Sequence, residues 1–132
     1  MIKYKLKSNS VIELNLADIE SALRLYRAII HECKNANLDI TIATETTVAD
    51  LLTKNTEAIL NIIGSELVLE ELKECGKHVL YKGQKFDMSL FEDVKNREDF
   101  LPLMTLIAIE NLKPFFADAR IIFEVLLSQI VK

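Results

Sequence analysis

The chain has 132 residues, half of them hydrophobic and 27% charged, with only 3 Gly and 2 Pro. That composition excludes collagenous, low-complexity and wholly disordered classes, and a chain of this length buries about two-thirds of its unfolded surface, so it needs neither disulfide nor metal to fold. A net charge of -4 gives no electrostatic footprint for nucleic acid, and the longest uncharged apolar run, the ten residues Phe100 to Ile109, falls well short of the ~20 that span a bilayer.

The opening Met1-Ile2-Lys3-Tyr4-Lys5-Leu6-Lys7 has no signal-peptide h-region. A cytoplasmic location is therefore expected, with Cys33 and Cys75 as reduced thiols. Residues 1–16 read as a β-hairpin. Ile2, Tyr4 and Leu6 alternate with lysines, Ser8-Asn9-Ser10 supplies turn chemistry, and Ile12, Leu14 and Leu16 alternate again. Such a hairpin is marginal alone, so its apolar face must lie on helices or pair with another chain. The lysine row reads as a solvated outer face, with one strand a protected edge, the alternative being a weak anion-binding patch.

Asp18 is placed to cap a first helix whose apolar stripe is Ile19, Ala22, Leu23, Tyr26, Ile30 and Cys33. Leu38, Ile40 and Ile42 allow a short strand or extended connector. Thr46 or Thr47 caps the next helix, which buries Val48, Leu51, Leu52, Ile59, Ile62 and Ile63. Gly64 stands where a helix C′ residue of positive φ belongs. Ser65 caps a further helix with Leu67, Val68, Leu72 and Cys75 inside, and Gly76 ends it. Residues 77–98 read as an irregular connector, with a turn at Lys82-Gly83-Gln84, a single helical turn at Met88 to Phe91 capped by Asp87, and a charged surface stretch.

Residues 99–132 are the C-terminal apolar helices. Asp99 caps the first of them, with Pro102 in an early turn, and Pro114 starts the second. Phe115, Phe116, Ile121, Ile122, Phe123, Val125, Leu126, Leu127, Ile130 and Val131 wrap most of that last helix. A helix apolar all round is central in its domain or buried by a partner, and a small domain has little room for two central ones. Phe115, Phe116, Ile122, Phe123, Leu126, Leu127 and Ile130 are therefore the candidate partner-interface residues. The competing reading makes both helices internal core. The whole is expected to be a single domain of mainly α (α+β) class, about five helices with an N-terminal β-hairpin.

Little in the chain carries chemistry. His31-x-Cys33 with Cys75-x-x-His78 has the ligand count of zinc, but on a helix residues two apart point about 200° apart, so both cysteines read as core. Cys75 with His78 could serve a small thiol enzyme, yet a helix C-terminus raises a thiol's pKa. No nucleophile elbow, glycine phosphate loop or His-Glu-x-x-His occurs. Glu66, Glu70, Glu71 and Glu74 make an acidic helix face that reads as solvated, or as a seat for a basic segment. No catalytic, cofactor-binding or metal-binding residue is assigned, and no cofactor is expected.

Around Cys75 to Phe116, "LKECGKHVLY" (Leu72 to Tyr81), "YKGQKF", "FEDVKNREDFLP" and "IENLKPFF" resemble the small tail-assembly chaperones of long-tailed phages and prophages of Gram-positive bacteria. Cys75, Tyr81, Gly83, Phe91, Glu92, Arg97, Asp99, Phe100, Asn111, Leu112, Pro114, Phe115 and Phe116 carry the likeness. It implies a non-enzymatic protein of the host bacterial cytoplasm, and the apolar surplus of the C-terminal helices adds the expectation of a homo-oligomer. The likeness further implies binding of the helical tape-measure protein and recruitment of major tail protein during tube assembly; the charge and the short apolar runs separately lead to the expectation of no nucleic-acid or membrane partner. The alternative expectation is a small structural tail or head-completion protein retained in the virion.

Overall fold

The computed structural model describes residues 1–35, 60–115 and 120–132. Within them the class is as expected, mainly helical with an N-terminal β-hairpin. Strand β1 (Ile2–Lys5) pairs antiparallel with β2 (Val11–Leu14), Ile2 opposite Leu14 and Lys5 opposite Val11. Asn9 turns the chain with a φ of 77°, a left-handed conformation that Asn tolerates better than most residues. Leu6, Ile12 and Leu14 are buried, whereas Ile2 and Leu16 stay exposed at the ends of the pattern.

Helix α1 (Ile19–Asn35) begins as expected, the Ser21 N–H donating to Asp18 Oδ2 at 3.1 Å. Its buried stripe is Ser21, Ala22, Leu25, Ala28, Ile29 and Cys33. Ile19, expected inside, is 63% exposed. Side-chain size misleads here, because the small residues on this face let the neighbouring helix approach until Cys75 Sγ lies 3.8 Å from the Ser21 carbonyl. The expectations for Leu38 to Ile42, the Thr46 or Thr47 cap, and Val48 to Ile59 fall outside the described residues. Ile62 and Ile63 are buried as expected.

Gly64 does not take a positive φ. Its N–H bonds to the Leu60 carbonyl at 2.9 Å, so the turn closes with ordinary helical geometry. Helix α2 (Glu66–Gly76) is capped by Ser65, whose Oγ accepts from Val68 N–H at 3.2 Å. Val68, Leu72 and Cys75 are fully buried, while Leu67, expected inside, is exposed. One residue is about 100° of rotation, enough to carry Leu67 off the face that Val68 holds. At the end of α2 a Cβ on Gly76 would stand 2.7 Å from the Phe86 ring, so only glycine fits.

The stretch read as irregular contains a second hairpin. Strand β3 (Val79–Tyr81) pairs with β2 on one side and β4 (Gln84–Lys85) on the other, giving an antiparallel sheet of order β1-β2-β3-β4. Lys82 and Gly83, at φ of 52° and 79°, make the two-residue left-handed turn whose twist matches paired strands. The strands are short, three and two residues, which left too little alternation to identify them. A 3-10 turn (Met88–Glu92) follows, capped by Asp87, and then α3 (Val94–Arg97), capped by Asp93.

Helix α4 (Phe100–Leu112) runs through the core and packs on α1, α2 and the last helix. All ten residues from Leu103 to Leu112 are buried. Asp99 does not cap it, having helical backbone angles and no side-chain bond to the helix end. Pro114 lies in a 3-10 turn (Lys113–Phe115), and the next described helix is α5 (Arg120–Ile130).

Candidate interaction surface

Helix α5 carries an apolar row at Phe123, Leu126, Leu127 and Ile130, spaced i, i+3, i+4, i+7 as one helix face requires. The row turns toward the core. Phe123 is buried at 5%, while Leu126, Leu127, Ile130 and Val131 are only partly buried against it. Glu124, Ser128 and Gln129 face outward. Phe115 also packs inward, its ring 5.3 Å from that of Tyr26 on α1. Phe116 and the side chain of Ile122 lie outside the described residues. Of the seven candidate interface residues, the five described therefore contact this chain's own core, four of them incompletely covered.

Past α5 the chain turns onto the edge of the sheet. Val131 forms an antiparallel bridge with Leu6, and Lys132 N–H donates to the Lys5 carbonyl at 2.9 Å. Lys132 Nζ also reaches Asn9 Oδ1. Beside this bridge the packing is incomplete. A cleft of about 350 Å³ opens between Leu6 to Ser8, Glu98, Asp99 and Pro102, and Gln129 and Ile130 of α5.

On the floor of that cleft lies a cluster that the sequence reading missed. Asp99, 3% exposed, accepts from Ser8 Oγ at 2.6 Å, Ser10 Oγ at 2.6 Å and Tyr81 OH at 2.5 Å. Burial alone would push its carboxyl up, but the hydrogen bonds from Ser10, Ser8 and Tyr81 outweigh it and hold the group below the usual carboxylate range. Burial, and then the bond to Asp99, pushes the Tyr81 hydroxyl well above its usual value. The far end of α4 has its own polar tie. Buried Glu110 accepts from Tyr4 OH and from Lys113 Nζ, the latter at 3.1 Å. Asn111 Oδ1 accepts from Ala17 N–H at 2.8 Å, and its amide donates to the Ile107 carbonyl at 2.9 Å. These groups saturate one another, so their chemistry is that of clamps.

The other sequence candidates are dispersed. Cys33 and Cys75 are buried free thiols. Burial pushes Cys33 up to about 11 and Cys75 up to about 12, so neither is a thiolate near neutral pH. His78 Nε2 lies 3.9 Å from Asp18 Oδ1 and His31 is exposed. No group of three or more His, Cys, Asp or Glu able to hold a metal occurs among the described residues. The acidic face of α2 is largely neutralised within the chain, Glu70 by Lys73 at 3.3 Å, Glu74 by Lys77 at 2.7 Å and Glu71 by Arg24 at 3.4 Å. Lys3 of the lysine row pairs with Glu13 at 3.5 Å. Among the described residues no helix is long and apolar enough to cross a membrane.

Five residues of the 75–116 segment hold one another in place. Tyr81 bonds Asp99, the Phe91 ring meets the Phe100 ring edge-on at 5.1 Å, and Arg97 Nε donates to the Phe91 carbonyl at 2.9 Å. No known protein family, curated protein or solved structure matches the chain.

Proposed function

We propose that this protein is a non-enzymatic phage tail-assembly chaperone of the host bacterial cytoplasm, which self-associates and binds helical segments of the tape-measure protein while the tail tube assembles. The observation that carries the reading is the apolar row of α5. Three of its four side chains, Leu126, Leu127 and Ile130, are incompletely covered, and i, i+3, i+4, i+7 is the spacing with which one helix engages another. The interlocked residues of the 75–116 segment fix the start of α4, the helix on which α5 packs. Recruitment of major tail protein belongs to the same reading.

Co-expression with a tape-measure protein of a long-tailed phage is the test. The expected result is that the tape-measure protein, insoluble alone, becomes soluble and co-purifies with this chain. Light scattering over a concentration series should also show mass above the monomer. A tape-measure protein that stays insoluble, together with a chain that stays monomeric, overturns the reading. Recovery of the chain from purified virions points instead to a structural tail or head-completion protein.

A further inference from the structure

A protein that binds helices needs an apolar groove, and the described apolar row of α5 is already turned into this chain's own core. Resting on the chaperone reading, we propose that α5 is a displaceable strap. The face of α4 beneath it is the docking groove, and a partner helix with apolar residues at i, i+3, i+4 and i+7 takes its place there. Three observations point to this. The resident helix is itself a pattern for the occupant, with Phe123, Leu126, Leu127 and Ile130 showing which spacing the groove accepts. Only Phe123 of the four is buried, and the other three are partly covered, so the seat holds α5 incompletely. The seam at its C-terminal half carries a cleft of about 350 Å³, lined by Ile130, Leu6 and Pro102 among others. Beyond the helix, the strap is closed by the Leu6–Val131 bridge and the bond from Lys132 N–H to the Lys5 carbonyl. Opening it frees that edge of β1 and bares α4, whose buried wrap then demands a substitute helix.

The bridge supplies the test. In the double variant Leu6→Cys, Val131→Cys, oxidation closes a disulfide across the antiparallel pair, and reduction of the same protein is the control for lost Leu6 packing. The probe is a fluorescent synthetic peptide with the sequence of residues 120–132, its binding to the full chain read by anisotropy. The reduced protein is expected to bind it and the oxidised protein to bind at least about tenfold more weakly. A second variant, Leu127→Ala, loosens the resident helix without a cross-link and is expected to bind the peptide more tightly than the unmodified chain. Equal binding by locked and open protein, no binding by either, or an affinity that Leu127→Ala leaves unchanged or lowers, each overturns the strap. A locked protein that still carries the tape-measure protein in co-purification overturns the strap alone and leaves the chaperone reading standing.

Discussion

Leu103 to Leu112 of α4 are buried on every side, whereas in α5 the described apolar side chains other than Phe123 are only partly covered. In composition the two helices are alike, both apolar around most of their circumference. Their fastenings differ. At the start of α4, Asp99 ties to Ser8 and Ser10 of the hairpin turn and to Tyr81 of β3. At its end, Glu110 and Asn111 tie to Tyr4, Lys113 and Ala17. Among the described apolar side chains, α5 is seated through the row Phe123, Leu126, Leu127 and Ile130, and it is followed by a bridge at Val131 and Lys132. An apolar wrap says that a helix needs cover. Buried polar ties mark the helix whose cover is permanent, because a buried carboxylate left without donors is costly.

Substitutions at matched leucines break this comparison most directly. Leu106→Ala, at a fully buried position of α4, is expected to lower unfolding free energy by about 2–5 kcal/mol in urea titration. Leu127→Ala in α5, partly covered, should cost about 1 kcal/mol because less area is lost and the site is open to solvent. Comparable losses would erase the distinction between the helices.

Removing the ties sharpens it. Asp99→Ala removes the shared acceptor of three hydroxyls, of which Tyr81 OH keeps Asn96 Oδ1 at 3.2 Å and Ser8 Oγ keeps Ser10 Oγ at 3.1 Å, and is expected to cost about 2 kcal/mol near neutral pH. The folded carboxyl is held below its ordinary 3.8, so the unfolded chain binds the proton more readily. The Asp99 contribution is therefore complete above the ordinary carboxylate range and lost as pH falls through it toward the lower folded value. The gap between Asp99→Ala and the unmodified chain should narrow over that window in acid titrations followed by circular dichroism. Tyr4→Phe removes one of the two donors to buried Glu110 and should cost about 1.5 kcal/mol, with α4 amides losing protection before those of α2.

Periodicity and capping chemistry made much of this legible. The hairpin, the Asp18 and Ser65 caps, the Asp87 turn and the apolar last third all appear where the residues place them. Three things did not show. Strands β3 and β4 are too short for an alternation to register. Asp99 sits before an apolar run with Pro102 in its first turn, which is how a cap reads, yet its partners lie 89, 91 and 18 residues away. Pairings that distant leave no local signal. The third is the division between α4 and α5, since circumference alone does not report which of two apolar helices a chain centres on. Glu110, a lone acid inside an aliphatic run, was the available clue: a carboxylate there needs a buried partner, and Tyr4 provides it.

Native-state hydrogen exchange resolved to single amides of α4 and α5 tests the central claim most directly. The account predicts that α4 amides exchange only through global unfolding, while those of α5 exchange at least about tenfold faster through a local opening that leaves the rest folded. Equal protection in the two helices, with α5 released only when the whole chain unfolds, would contradict it.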